Sequence, residues 1–134
     1  MLAGVILLFV YVSANATVKP VASKLTKEDV INIYIDAMAH GDMKGLDNVL
    51  DDSLQYDIQR AGKTNTMHKD ELMDYLNSNP ADPSVTTSSA VIQEDDGTAM
   101  IKVIFNYSTY TRTDMVTLDN FGGWMITKVV SVYS

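Results

Sequence analysis

The sequence predicts an α+β fold in which a curved antiparallel sheet wraps a long N-terminal helix. Three observations predict it. The segment 29–40 is apolar over too much of its circumference to lie on a surface. From residue 85 onward every segment alternates as a strand does. The order of elements is helix, short helix, strand, helix, then long strands in succession, and a twisted meander of such strands curls around the first helix.

Residues 1–16 differ from the rest. MLAGVILLFVYV carries no charged side chain, and SANA after it places Ala14 and Ala16 at small-x-small spacing. The apolar run 2–12 falls short of the about 20 residues that a bilayer span needs. The segment is therefore read as a signal peptide cut after Ala16, although the customary Lys or Arg ahead of the apolar run is missing. A buried N-terminal strand or helix is the alternative. The signal reading makes the protein exported, periplasmic or secreted, with no stable membrane anchor after cleavage. Residues 17–24, with Pro20, form a linker, and 25–134 form one domain.

Within that domain Thr26 is a good helix N-cap, with Asp29 three positions on. Val30, Ile33, Tyr34, Ala37 and Met38 make one helical face, and Ile31 and Ile35 add a second apolar stripe. Gly41 ends the helix. Asp42 starts a shorter one whose buried side is Met43, Leu46, Val49 and Leu50. Asp51, Asp52 and Ser53 break the pattern. Leu54, Tyr56 and Ile58 then alternate with Gln55 and Asp57 as a half-buried strand. RAGKTN reads as a polar turn. Leu72, Met73, Tyr75 and Leu76 mark a third helix, stopped at Asn79-Pro80.

The strand at 85–94 runs into Asp96-Gly97, a two-residue hairpin signal. Ala99, Ile101, Val103, Phe105 and Tyr107 share one face of the next strand, with Met100, Lys102, Ile104, Asn106, Ser108 and Tyr110 opposite. A third strand follows from Arg112, and Gly122-Gly123 turns it into the last. If Ile101, Val103 and Phe105 face the helix, then Met100, Ile104 and Tyr110 point away, with Val129 and Tyr133 expected on that same outer side. Such a face is apolar enough to seek a partner.

Composition narrows the function. Lys and Arg number 10 against 17 Asp and Glu, a net charge of −7, so binding to nucleic acid or anionic lipid through basic patches is not expected. The absence of Cys excludes disulfides, thiolate zinc sites and a thiol nucleophile. No phosphate-binding Gly loop or nucleophile elbow occurs.

The helix 29–40, the Gly41-Asp42 corner, Leu46 and Leu50, the strand at Tyr56, and the closing Gly123-Trp124-Met125-Ile126 together resemble the nuclear transport factor two-like, or cystatin-like cone, superfamily. The resemblance covers about residues 25–134. It is especially similar to the "putative lumazine-binding" family of small exported bacterial proteins. It implies a cone of sheet around the helix, and a homodimer through the outer sheet face. The superfamily includes ketosteroid isomerase, scytalone dehydratase, polyketide cyclases and non-enzymatic binding modules, so the fold alone does not assign an activity.

The expected ligand pocket comprises Tyr34, Met38, Tyr56, Phe105, Tyr107 and Trp124, taking a small apolar or aromatic ligand. Each of these residues also has a plain structural role open to it, as an amphipathic core tyrosine, a gap-filling methionine or a packing tryptophan. Enzymes of the superfamily work with acid–base pairs inside the cone, such as an Asp base facing a Tyr and a neutral Asp. Asp114 shares parity with Val116 and Leu118, which makes it a candidate inward carboxylate. It also lies near its strand's start, where a solvated end is the alternative. Asp57 is opposite in parity to Tyr56 and cannot share its face.

His40 and His68 stand at helix ends, Asp51-Asp52 at a corner, and Glu94-Asp95-Asp96 at a turn. None has metal-ligand spacing, so neither metal nor cofactor is expected. An exported binding module or a dimeric structural module is thus the leading reading. The alternative is a lyase or isomerase using a pocket Tyr and one inward carboxylate.

Overall fold

The computed structural model describes residues 25–134, so the predicted signal and linker lie outside the described residues. Helix α1 spans Lys27–His40. Thr26 and Asp29 cap it reciprocally: the Asp29 amide donates to Thr26 Oγ1 at 3.1 Å and the Thr26 amide to Asp29 Oδ2 at 3.0 Å. Gly41, at φ +70°, closes it in the left-handed region. Val30, Ile31, Tyr34, Ala37, Met38 and Ala39 are buried, and Ile33 and Ile35 are half-buried against the same core. Both apolar stripes are covered, as their sequence requires.

The chain leaves α1 through the Gly41-Asp42 corner, where Asp42 Oδ1 accepts the Lys44 amide at 3.1 Å. The single turn α2, Leu46–Val49, follows and leads directly into β1, Leu50–Arg60. Strand β2, Lys63–Met67, returns along β1. The connecting Ala61 and Gly62 both have positive φ, at 54° and 77°, as a tight hairpin turn requires. Helix α3, Lys69–Ser78, packs on β1. Strands β3 (Thr86–Glu94), β4 (Thr98–Asn106), β5 (Thr111–Asn120) and β6 (Trp124–Tyr133) complete the chain.

The six strands form one curved, unclosed sheet in the order β2-β1-β6-β5-β4-β3. Every pairing is antiparallel except β1 with β6, which is parallel. The sheet is therefore mixed, because the last strand inserts between the first and the fifth. The hairpin at Asp96-Gly97 has a three-residue loop: Asp95 Oδ1 accepts the amides of Gly97 at 3.1 Å and Thr98 at 2.9 Å.

The concave face carries the core. Ala99, Ile101, Val103 and Phe105 from β4, and Val116 and Leu118 from β5, are buried, with Leu50, Leu54, Ile126 and Val129 from the flanking strands. One expectation is overturned here. Val129 is fully buried, and Tyr133 shares its inward parity, so neither belongs to the outer face. The register of β6 shifts by a bulge opposite Thr117 and Leu118 and reverses the parity that simple counting suggests. The outer face carries Met100, Ile104, Met115, Val130 and Val132 instead. Among the described residues no helix is long and apolar enough to cross a membrane.

Candidate functional site

The inward positions of β5 read, in order, Arg112, Asp114, Val116, Leu118, and all four are buried. The strand thus carries an ion pair into the concave face. Arg112 Nε donates to Asp114 Oδ1 at 3.1 Å and Arg112 Nη2 to Oδ2 at 2.9 Å. Such a two-point fork is the strongest geometry open to this pair. The guanidinium lies over the Phe105 ring, 4.1 Å from its centroid, where cross-strand pairing places the two residues opposite each other.

Tyr34 reaches the same carboxylate from α1, donating its hydroxyl to Asp114 Oδ2. Tyr56 on β1 lies within hydrogen-bonding reach of Tyr34. Burial first, and then the Asp114 charge, push the Tyr34 hydroxyl well above the ordinary tyrosine range; burial does the same to Tyr56. Both phenols therefore stay protonated and act as donors. Asp114 is fully buried, so its inward parity holds and the solvated-end alternative fails.

Above this group lies a cavity of about 150 Å³. Its walls come from the end of α1 (Ala37, Met38), from β1 (Tyr56, Ile58), from α3 (Leu72, Tyr75, Leu76) and from the loop after it, through Asp82. Arg112 reaches it from below, and Tyr107, Tyr110 and Tyr133 form its mouth. Those three rings stack in series, with centroids 4.5 Å apart for Tyr107–Tyr110 and 5.8 Å for Tyr110–Tyr133. The Arg60 guanidinium covers the outer end, 4.1 Å from the Tyr133 ring. Asp82 at the rim accepts the Ser84 amide at 2.9 Å and hydroxyl at 2.7 Å, which hold its carboxyl below the usual range.

Of the residues picked from the sequence, Met38, Tyr56 and Tyr107 line this cavity. Tyr34 sits behind it, fully buried between Tyr56 and Asp114. Phe105 does not line it, because the Arg112 guanidinium covers its ring. Trp124 is at the other end of α1, half-buried, with the Lys27 ammonium 5.5 Å from its ring centroid. Sequence reasoning missed Arg112 and placed Tyr110 and Tyr133 on the outer face; both line the cavity instead, Tyr110 because the chain turns after β4 and stacks its ring on Tyr107. Arg112 shares the parity of Asp114, and that was the available signal.

The acidic and basic groups weighed as ligands lie elsewhere. His68 precedes α3, its amide donating to Glu71 Oε1 at 2.9 Å, and His40 is exposed at the end of α1. Asp57 faces outward, accepting from Thr66 Oγ1 at 2.7 Å and from Gln55 Nε2 at 2.9 Å. Glu94 pairs with Lys27. Among the described residues no three His, Cys, Asp or Glu side chains are grouped to hold a metal ion.

Solved structures share this architecture. A protein of unknown function from Methylobacillus flagellatus, described as NTF2-like, superposes with a TM-score of 0.67 at 20% identity, covering 84% of this chain and 98% of that one. A cystatin-like fold protein from Burkholderia xenovorans gives 0.65 at 12% identity, over 80% and 88%. A structure from Parabacteroides distasonis described as a "putative ketosteroid isomerase" gives 0.60 at 14% identity, over 83% and 89%. At such identities the likeness shows the fold. No curated protein matches the sequence. The sequence profile of the family described as "Putative lumazine-binding" matches residues 22–134. With that match extending over most of its length, the chain belongs to this family.

Proposed function

We propose that the protein is a binding module for a small, neutral, planar heterocycle, held in the tyrosine-rimmed cavity without turnover. The observation that carries this is the Arg112–Asp114 pair. The two buried charges cancel, yet the fork uses only two of the five guanidinium N–H donors. The three left suit carbonyl oxygens on the edge of a ring. A buried anion would find no spare positive charge there, and the protein's net charge of −7 opposes its approach. The volume of about 150 Å³ admits a single six-membered ring. A second fused ring would lie at the mouth, against Tyr107 and Tyr110. The family's description is in keeping with this, since lumazine is a two-ring dione.

The chain's own groups do not support proton transfer at this site. Asp114 already accepts three hydrogen bonds. Tyr34 and Tyr56 keep their protons, and the lowered carboxyl of Asp82 makes a weak base. The isomerase reading keeps one supporting observation, the desolvated Tyr34–Asp114 pair. Calorimetric titration with lumazine, uracil and benzoate at pH 7 tests the proposal. Uracil should bind, lumazine should bind about three- to tenfold more tightly through stacking, and the recovered ligands should be unchanged by mass. Tighter binding of benzoate than of either dione would overturn it.

We also infer a homodimer through the outer sheet face, supported by Met100, Ile104, Met115, Val130 and Val132. Sedimentation at micromolar concentration should give twice the chain mass, and Val130→Asp should give the monomer. Export rests on residues 1–16, and N-terminal sequencing of the exported form should begin at Thr17.

A further inference from the structure

The cavity has two polar walls of opposite character. On β5, Arg112 offers N–H groups alone. The loop after α3 offers an acceptor. Pro80, Ala81 and Asp82 of that loop line the cavity, and only Asp82 has a polar side chain. Its Oδ1 takes both the Ser84 amide at 2.9 Å and the Ser84 hydroxyl at 2.7 Å. Its Oδ2 has no partner among the described residues. The tyrosine hydroxyls at the mouth donate or accept as the occasion requires, so they do not choose between ligands.

Asp82 is also a fixed acceptor. The two Ser84 bonds hold the carboxylate in one place and keep its carboxyl below the usual range, so it is ionised at neutral pH. The Asp82 carbonyl accepts the Val85 amide at 3.4 Å, and Val85 is buried in the core, which ties the turn to the body of the protein. An ionised carboxylate can only accept, and its hydrogen bonds are roughly twice as strong as those between neutral groups. A dione answers the Arg112 wall with its oxygens, but a second oxygen turned to Asp82 meets a like charge. A ring with a carbonyl on one edge and an amino group on another answers both walls.

We propose that Asp82 is the specificity residue of the cavity: its Oδ2 accepts the amino group of an amino-oxo heterocycle, an aminopyrimidinone such as that of pterin, whose carbonyl meets the free edge of Arg112. The assignment rests on the cavity taking a heterocycle, and it adds the ligand class, since amino-oxo rings are selected over diones of the same shape.

Wild type and Asp82→Asn are titrated calorimetrically with pterin and with lumazine at pH 7. The two ligands differ in the amino group that replaces one ring oxygen. Asp82→Asn keeps an oxygen for the Ser84 amide and hydroxyl, so the turn persists, and puts an N–H donor where Oδ2 stood. Wild type should bind pterin roughly three- to tenfold more tightly than lumazine, the share of one net hydrogen bond. Asp82→Asn should lose that preference or reverse it, and should bind lumazine at least as tightly as wild type does. A wild type that binds lumazine as tightly as pterin overturns this inference and leaves the heterocycle site standing. A wild type that binds neither compound overturns both. A preference for pterin that survives in Asp82→Asn places the reader of the amino group elsewhere, and equal losses for both ligands show that Asp82 only shapes the loop; either result also overturns the inference.

Discussion

The two halves of the concave face solve the same burial problem by opposite means. Around the start of α1, the face is Val30, Leu50, Val116, Leu118, Ile126 and Val129, all buried and all apolar. Around its end, the equivalent positions on the same strands are Arg112, Asp114, Ser131 and Tyr56, also buried. The first half is held by the removal of apolar surface from water, which is non-directional and proportional to area. The second is held by directional bonds among Arg112, Asp114 and Tyr34, in which two charges that would be expensive to bury singly are paired. An apolar half can be repacked. A polar half is all or nothing, and it is the half that opens to a cavity.

The largest effect should come from separating the ion pair. Arg112→Met strands the Asp114 carboxylate and should lower stability by about 3–5 kcal/mol, whereas the double variant Arg112→Met/Asp114→Leu should recover most of it. Leu118→Ala, four positions past Asp114 on the same strand, should cost about 2–5 kcal/mol, with no second change nearby that restores it. Urea unfolding of the four proteins checks both. If the double variant is as unstable as Arg112→Met, the two halves do not differ in kind.

A smaller effect appears in alkali. The raised values of Tyr34 and Tyr56 mean that the unfolded chain loses these protons above about pH 10 while the folded chain keeps them. The folded state then binds more protons, so stability is full below pH 10 and falls above it. Two such groups give a slope on the order of 3 kcal/mol per pH unit. Tyr34→Phe should halve that slope and cost about 1–3 kcal/mol at neutral pH, because Asp114 loses a donor. Equilibrium unfolding between pH 8 and 12 reads both quantities. An unchanged slope in Tyr34→Phe would remove Tyr34 from the polar set.

The smallest effect on stability belongs to the mouth. Tyr110 is 40% exposed but stacks on Tyr107 and Tyr133, so Tyr110→Ala should lower stability by about 0.5–1.5 kcal/mol. The same substitution should reduce lumazine affinity several-fold, and uracil affinity less, since only the two-ring ligand reaches the stacked tyrosines. Equal losses for both ligands would place the second ring elsewhere.

The apolar half was legible in the sequence except for Val129, which simple counting put on the outer face. The doubled stripe of α1, the alternation of β4 and the Asp-Gly turn each carry a period that only one structure satisfies. The polar half was legible in part. Parity put Asp114 on the concave face, but an arginine is presumed solvated, so Arg112 went unnoticed although it stands two residues away on the same side. Tyr133 was assigned to the wrong face because a bulge leaves no mark in the sequence of β6. Strand β2 read as a turn, since Lys63, Thr64, Asn65 and Thr66 are all exposed and Ala61-Gly62 lacks the Asn or Asp that usually announces such a hairpin.

The parallel pairing of β1 with β6 has a consequence for how the molecule is made. Strand β6, ten residues long, is a central one, flanked by the first strand and the fifth. Until residues 124–133 have left the ribosome, β1 and β5 are two raw edges with nothing between them, and Asp114 has no roof on that side. Nascent chains of this protein therefore stay open until β6 has been made, and their assembly waits on a contact between segments some seventy residues apart.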